Sequence, residues 1–123
     1  MGRQGEVAPP KRGEVVVVDF DPTIGAEIRK RRPAVVVQND IDNRHSPITI
    51  VAALTSQIDD KQYPTEVRVH PPEGGVTRPS VVLLNQIRSV DRRRLVGRLG
   101  RLRPETMVRV GRALQISLGL VKV

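Results

Sequence analysis

Cysteine is absent from the 123 residues, and the aromatic side chains are reduced to Phe20 and Tyr63. The first absence excludes disulfides, zinc–thiolate centres and a thiol nucleophile. The second argues against a base-stacking platform, which needs several aromatic faces. Any bound RNA must then be read mainly by hydrogen bonds and arginine planes. No apolar run is long enough to span a bilayer. The opening "MGRQGEVAPPKRG" lacks the apolar centre of a secretory signal. A cytoplasmic protein without membrane contact is expected. Acidic residues are nearly missing from the last third: residues 85–123 hold 10 basic and 2 acidic side chains, whereas residues 1–84 hold 11 of each. Seventeen of the 21 cations are arginine, the side chain that forks onto phosphate and carboxylate. The net charge of +8 points to a polyanionic partner, a nucleic acid or an acidic protein segment.

What is present suits one modest core and one domain. Residues 1–10 read as a flexible arm, and residues 11–123 as the single domain. "EVVVVDF" from Glu14 and "PAVVVQND" from Pro33 are short β-branched runs of the buried-strand type. Pro33 is tolerated only at a strand start or an edge. "NRHSP" reads as a turn, "ITIVAALTS" as a third strand and "TEVRVH" as an alternating one. "PPEGGVTRP" is an irregular connection. "SVVLLNQIRSV" is a further strand, bent near Asn85, and "DRRRLVGRLGRL" a helical turn followed by a strand. The final stretch is a helix from Pro104. Met107, Val110, Leu114 and Leu118 fall on one face of it. Six or seven short strands and one late helix imply a small, curled antiparallel barrel closed by that helix.

The chemical inventory is thin. No Gly-rich phosphate loop of Walker type occurs. His45 and His70 are far apart, without metal-ligand spacing, so no metal site is expected. Asp19 and Asp21 share one side of a strand end, a pair of carboxylates able to hold a divalent ion, but Pro22 favours a turn-capping role. The remaining candidates are the loop from Asp21 to Arg32, including Glu27, and the polar strand end at Thr55 and Ser56. From the residues alone, Thr55 also reads as an ordinary strand-end threonine.

The combination of motifs is more specific than any one of them. "KRGEVVVVDFDPTIGAEIRKRRPAVVVQNDIDNRHSPITIVAALTSQ", then "YPTEV", "SVVLLNQIRSVDRRRLVGRLGRL" and the last helix, resemble the MazF/PemK/Kid toxins of bacterial toxin–antitoxin systems. The likeness runs from about Lys11 to Leu120 and is to the MazF type of Gram-positive bacteria. It implies a mainly β, SH3-like, partly open antiparallel barrel with a C-terminal helix, assembled as a homodimer. The implied activity is sequence-specific, ribosome-independent cleavage of single-stranded mRNA at a short A/U-containing site, without metal or cofactor. Attack by the RNA's own 2′-OH leaves a 2′,3′-cyclic phosphate and a 5′-OH. The implied partner is a cognate acidic antitoxin whose disordered tail competes for the RNA groove.

Arg32 matches the family's catalytic arginine and Thr55 its catalytic threonine. An arginine is a poor base near neutral pH, so Glu27 is the better proton acceptor or an orienter of Arg32. It reads equally as a carboxylate shielding the cation run. Arg29, Lys30 and Arg31 read as a phosphate-facing lip. Asn43, Arg44 and Ser46 read as an RNA rim, Ser56 as a neighbour of Thr55, and Gln86 as a base or backbone contact. The chain departs from the family pattern at Ile28, Asn85 and Pro79. Two other functions compete: a non-catalytic nucleic-acid-binding barrel, and a gyrase poison of the same fold. For Arg92–Arg94, Arg98, Arg101 and Arg103, three readings stand: an RNA track, a dock for an acidic tail, or a solvated face.

Overall fold

The computed structural model describes residues 8–20 and 31–123. Six strands form one antiparallel sheet: β1 (Glu14–Asp19), β2 (Arg31–Val36), β3 (Ile48–Thr55), β4 (Glu66–Val69), β5 (Ser80–Asp91) and β6 (Leu95–Arg101). Their spatial order is β4-β5-β3-β2-β1-β6, so the sheet is not closed and β4 and β6 are its edges. A short helix, α1 (Asp40–His45), follows β2, and α2 (Pro104–Ser117) ends the fold. Single 3₁₀ turns occupy Glu73–Gly75 and Arg92–Arg94. This is the mainly β fold with a C-terminal helix that the sequence suggests. No helix among the described residues is long and apolar enough to cross a membrane.

The valine runs are buried on both faces, which is why they do not alternate. One face collects Val15, Val35, Ala52, Leu54, Val67, Val69, Val82 and Leu84 under Val110 and Ala113 of α2. The other collects Val16, Val18, Ala34, Val36, Val51 and Val90, with Phe20 and Leu95 against them. Strand β5 serves both because it bends. Ala53 lies opposite Leu83 but Ala52 lies opposite Ile87, so Leu84, Asn85 and Gln86 form a bulge in the ladder. The bend expected near Asn85 is this bulge.

Four expectations change. "NRHSP" is not a simple turn: Asn39 accepts the Asp42 N–H through Oδ1 at 2.9 Å and starts α1. His45 therefore belongs to a helix. Strand β2 begins at Arg31 rather than Pro33, because Arg31 lies opposite Asp19. On α2, the buried stripe is Thr106, Val110 and Ala113, flanked by Met107 and Leu114. Leu118 is 53% exposed, since the helix ends there and the chain turns at Gly119 (φ 73°). Part of the N-terminal arm is docked: Pro10 is buried, and the Ala8 and Pro9 carbonyls accept from Arg98.

The arginine-rich last third is largely spent inside the fold, a use that charge counting does not reveal. Arg98 meets the buried Glu14 at 2.9 Å, and Arg103 meets Glu73 at 3.1 Å. Arg93 grips Asp91, whose carboxyl is held down at about 2, chiefly by the Arg93 side-chain hydrogen bond. Arg94 donates to the Asp19 carbonyl, and Arg92 to that of Ser46. These contacts tie β6 and the Arg92–Arg94 turn to β1 and to the loop after α1. Arg101 is exposed.

Candidate active site

Pro33 shapes the site. It is the third residue of β2 and lies opposite Val17 on β1. On the other side, pairing with β3 begins only one residue later, at Ala34 opposite Ala53. Proline has no N–H to give a neighbouring strand, so β2 is locally an edge at this level. The ladder runs Val36–Val51, Val35–Ala52, Ala34–Ala53. Continuing that register by two residues sets Arg32 across from Thr55, on the same side of the sheet. The two strand ends are left unzipped, and both side chains line one cleft.

A cleft of about 580 Å³ opens there. Arg32 and Pro33 line it from β2. Leu54 and Thr55 line it from β3, and Ser56 and Gln57 from the turn that follows. Thr77 and Arg78 come from the segment leading into β5, Ser80 from the start of β5, and Leu99 from β6. Arg32 is exposed. Among the described residues its guanidinium makes no hydrogen bond or ion pair. The Thr55 hydroxyl accepts the Gln57 N–H at 3.1 Å. That bond occupies a lone pair and leaves the hydroxyl proton available to a ligand. The cleft therefore offers a forked cation and a hydroxyl donor, the requirements of a bound phosphoryl group.

The segment Glu73–Arg78 is held tightly against β6. Gly75 has φ 76°, and a Cβ there would lie 2.0 Å from the Leu99 carbonyl oxygen. Glu73, 8% exposed, accepts the Arg103 N–H at 2.9 Å and its guanidinium at 3.1 Å. Burial raises the Glu73 carboxyl, but hydrogen bonds from Thr106 and Arg103 outweigh it and leave it below the ordinary value of 4.5.

The other expected site residues separate into groups. Ser56 joins Arg32 and Thr55 in the cleft. Asp21, Glu27, Arg29 and Lys30 lie outside the described residues. Arg31 is a strand residue whose Nε sits 3.9 Å from Asp19 Oδ2, so it is not part of a loose lip. Arg44 is exposed in the last turn of α1, away from the cleft lining. Gln86 is exposed in the β5 bulge and does not line the cleft.

Asn43 requires a correction. It is 0% exposed and cannot reach RNA as a rim residue. Its Oδ1 accepts from Gln38 Nε2 at 2.9 Å and Thr49 Oγ1 at 2.7 Å. Its Nδ2 donates to the Gln38 carbonyl at 2.9 Å and to Asp40 Oδ1 at 3.2 Å. Asn43→Ala strands the buried Thr49 hydroxyl, so a stability loss of about 1–3 kcal/mol is expected. Thermal or urea unfolding measures it. RNA cleavage per folded molecule should stay unchanged; a selective loss of activity would restore the rim role.

Sequence reasoning missed Gln57, Thr77, Arg78, Ser80 and Leu99. The segment from Pro71 reads as an irregular connection, and only the three-dimensional path brings it beside β2. One local signal was available: Arg78 precedes Pro79 as Arg32 precedes Pro33.

Comparison with known proteins identifies the family. The chain is 47% identical over 111 residues to Endoribonuclease EndoA of Bacillus subtilis, covering 90% of this chain and 96% of that one. Among solved structures it is similar to MazF in a MazE–MazF crystal structure from Deinococcus radiodurans (TM-score 0.77, 31% identity, 94% and 100% covered). It is also similar to an endoribonuclease solved with its cognate antitoxin from a mycobacterial species (TM-score 0.77, 27% identity, 93% and 99% covered). A family model matches residues 11–118, and the chain belongs to that family, the PemK-like, MazF-like toxins of type II toxin–antitoxin systems.

Proposed function

We propose that the chain is the endoribonuclease toxin of such a system. It cuts single-stranded mRNA sequence-specifically and without metal, by transesterification in the cleft of Arg32 and Thr55. The observation that carries this reading is that Arg32 and Thr55 line one cleft at the unzipped end of β2 and β3. The ribose 2′ oxygen attacks the adjacent phosphorus, the P–O5′ bond breaks, and the leaving oxygen departs as a 5′-OH. The other product is a 2′,3′-cyclic phosphate.

The protein has three tasks in that reaction. It aligns the 2′-OH with phosphorus, neutralises charge on the phosphorane, and handles two protons. Arg32 forks onto two non-bridging oxygens, and Thr55 donates to the same group. Because arginine is a poor base, Glu27 is assigned the proton of the attacking hydroxyl, and Arg32 delivers the proton that the departing 5′ oxygen takes up. Arg29 and Lys30 supply steering charge.

The proposed assembly is a homodimer. Val96 on the edge strand β6, and Leu118, Leu120 and Val123 at the C-terminus, are exposed apolar side chains that a second copy would cover. Sedimentation equilibrium should return twice the 13.6 kDa chain mass; a monomer would remove this element. An acidic antitoxin segment is the proposed inhibitor, matching the cleft's cationic wall.

The test is digestion of a long defined RNA in EDTA, with mapping of cut positions and end groups. Expected are discrete cuts bearing cyclic phosphate and 5′-OH. Absence of cutting in EDTA that magnesium restores would defeat the metal-free mechanism. Binding without cutting under all conditions would favour the non-catalytic barrel.

A further inference from the structure

The cleft holds a second guanidinium. Arg78 lines it from the segment between the Glu73–Gly75 turn and β5. Among the described residues its guanidinium makes no hydrogen bond or ion pair. That sets it apart from Arg93, Arg98 and Arg103, each paired with a carboxylate.

The chain contains three Arg–Pro pairs: Arg32–Pro33, Arg78–Pro79 and Arg103–Pro104. A residue before proline is confined to extended backbone. The third arginine is committed to Glu73. The other two converge on one cleft, each with its backbone restrained and its charge unspent. For Arg78 the restraint goes further. Ser80 Oγ donates to the Arg78 carbonyl at 2.8 Å, fixing the backbone on both sides of Pro79. Upstream, a Cβ on Gly74 would meet Val15 Cγ2 at 2.8 Å, so the segment already lies as close to β1 as a backbone can. A charge that served only long-range steering would need none of this anchoring.

We propose that Arg78 forms a second phosphate subsite. It grips a backbone phosphate next to the one that is cut, while Arg32 and Thr55 hold the scissile group. This rests on the reading of the cleft as the RNA-cleaving site. Two fixed guanidiniums on neighbouring phosphates set the register of the strand, so that one linkage is held in line for attack.

The experiment uses the full chain and an RNA carrying a single 2′-deoxy nucleotide at its mapped cut site. Affinity is followed by anisotropy across a salt series for wild type, Arg78→Gln and Arg78→Lys. Arg78→Gln should bind about tenfold more weakly at low salt, with the log–log salt slope reduced by about 0.7. Arg78→Lys should recover most of that slope. A neutral methylphosphonate at one linkage flanking the cut site should weaken wild type by a similar factor and weaken Arg78→Gln no further. Arg78 is exposed, and an unchanged thermal midpoint confirms folding. Wild-type affinity in Arg78→Gln overturns the subsite, as does equal weakening of both proteins by every methylphosphonate. If Arg32→Ala abolishes cleavage of the all-ribose RNA in either of those cases, the cleavage reading stands without the subsite. If Arg32→Ala cuts like wild type, both fall.

Discussion

Arg32→Ala is expected to lower RNA cleavage by at least about 10³-fold while leaving the fold intact. Loss of a single preorganised donor to a developing oxyanion costs about 10²–10³ in rate. Arg32 presents two donors and a full charge, and its bonds to a phosphorane are charge-assisted. The fold should not suffer, because the side chain is exposed and makes no polar contact among the described residues. The backbone position is set by Pro33 and by pairing opposite Val18, which alanine preserves. Arg32→Lys keeps the charge without the fork and should recover only part of the rate. Single-turnover cleavage separates the outcomes. A fall in the chemical rate with binding nearly intact is expected. A pure rise in KM would make Arg32 a ground-state anchor instead.

Thr55→Val should cost about 10²-fold in the chemical step. Valine keeps the branched shape that suits a strand but removes the hydroxyl. The Thr55 oxygen also accepts the Gln57 N–H at 3.1 Å, so the same change loosens the turn after β3. A stability loss of about 1 kcal/mol is expected from that bond. Thr55→Ser distinguishes the roles: it retains acceptor and donor, and should retain activity within about tenfold. If Thr55→Val cuts RNA at the wild-type rate, the hydroxyl serves the turn alone. If Thr55→Ser is as poor as Thr55→Val, the missing methyl rather than the hydroxyl is the cause.

The strands were legible because β-branched runs between Pro/Gly punctuation have few alternatives. The bend at Asn85 was legible too, since "LLNQIR" interrupts an apolar run with two adjacent amides. The sheet order was not, because it depends on which buried faces meet across the chain. The site was half legible. Arg32 stood out beside a buried strand, but Thr55 looked like any strand-end threonine, and only the family resemblance paired them. The physical reason for the pairing, a ladder that starts one residue after a proline, needs the register.

Asn43 was misread because a polar residue in "DIDNRH" looks solvated, whereas its partners Gln38 and Thr49 lie across a helix and a strand start. The basic last third has a second use that composition does not show. Its arginines suggested a polyanion, yet several are pins to Glu14, Glu73 and Asp91. Composition records charge and is silent about intramolecular partners. Arg78, unpaired among the described residues like Arg32, lies in a segment that reads as a mere connection.

The central claim is that this cleft borrows its nucleophile from the RNA. The most direct measurement replaces one ribose by 2′-deoxyribose, immediately 5′ of the mapped scissile phosphate, in an otherwise unchanged oligonucleotide. The account predicts that cleavage at that linkage stops while the protein still binds the strand. Cutting of the deoxy linkage at a rate near that of the ribose one would show that the nucleophile comes from elsewhere and contradict the account.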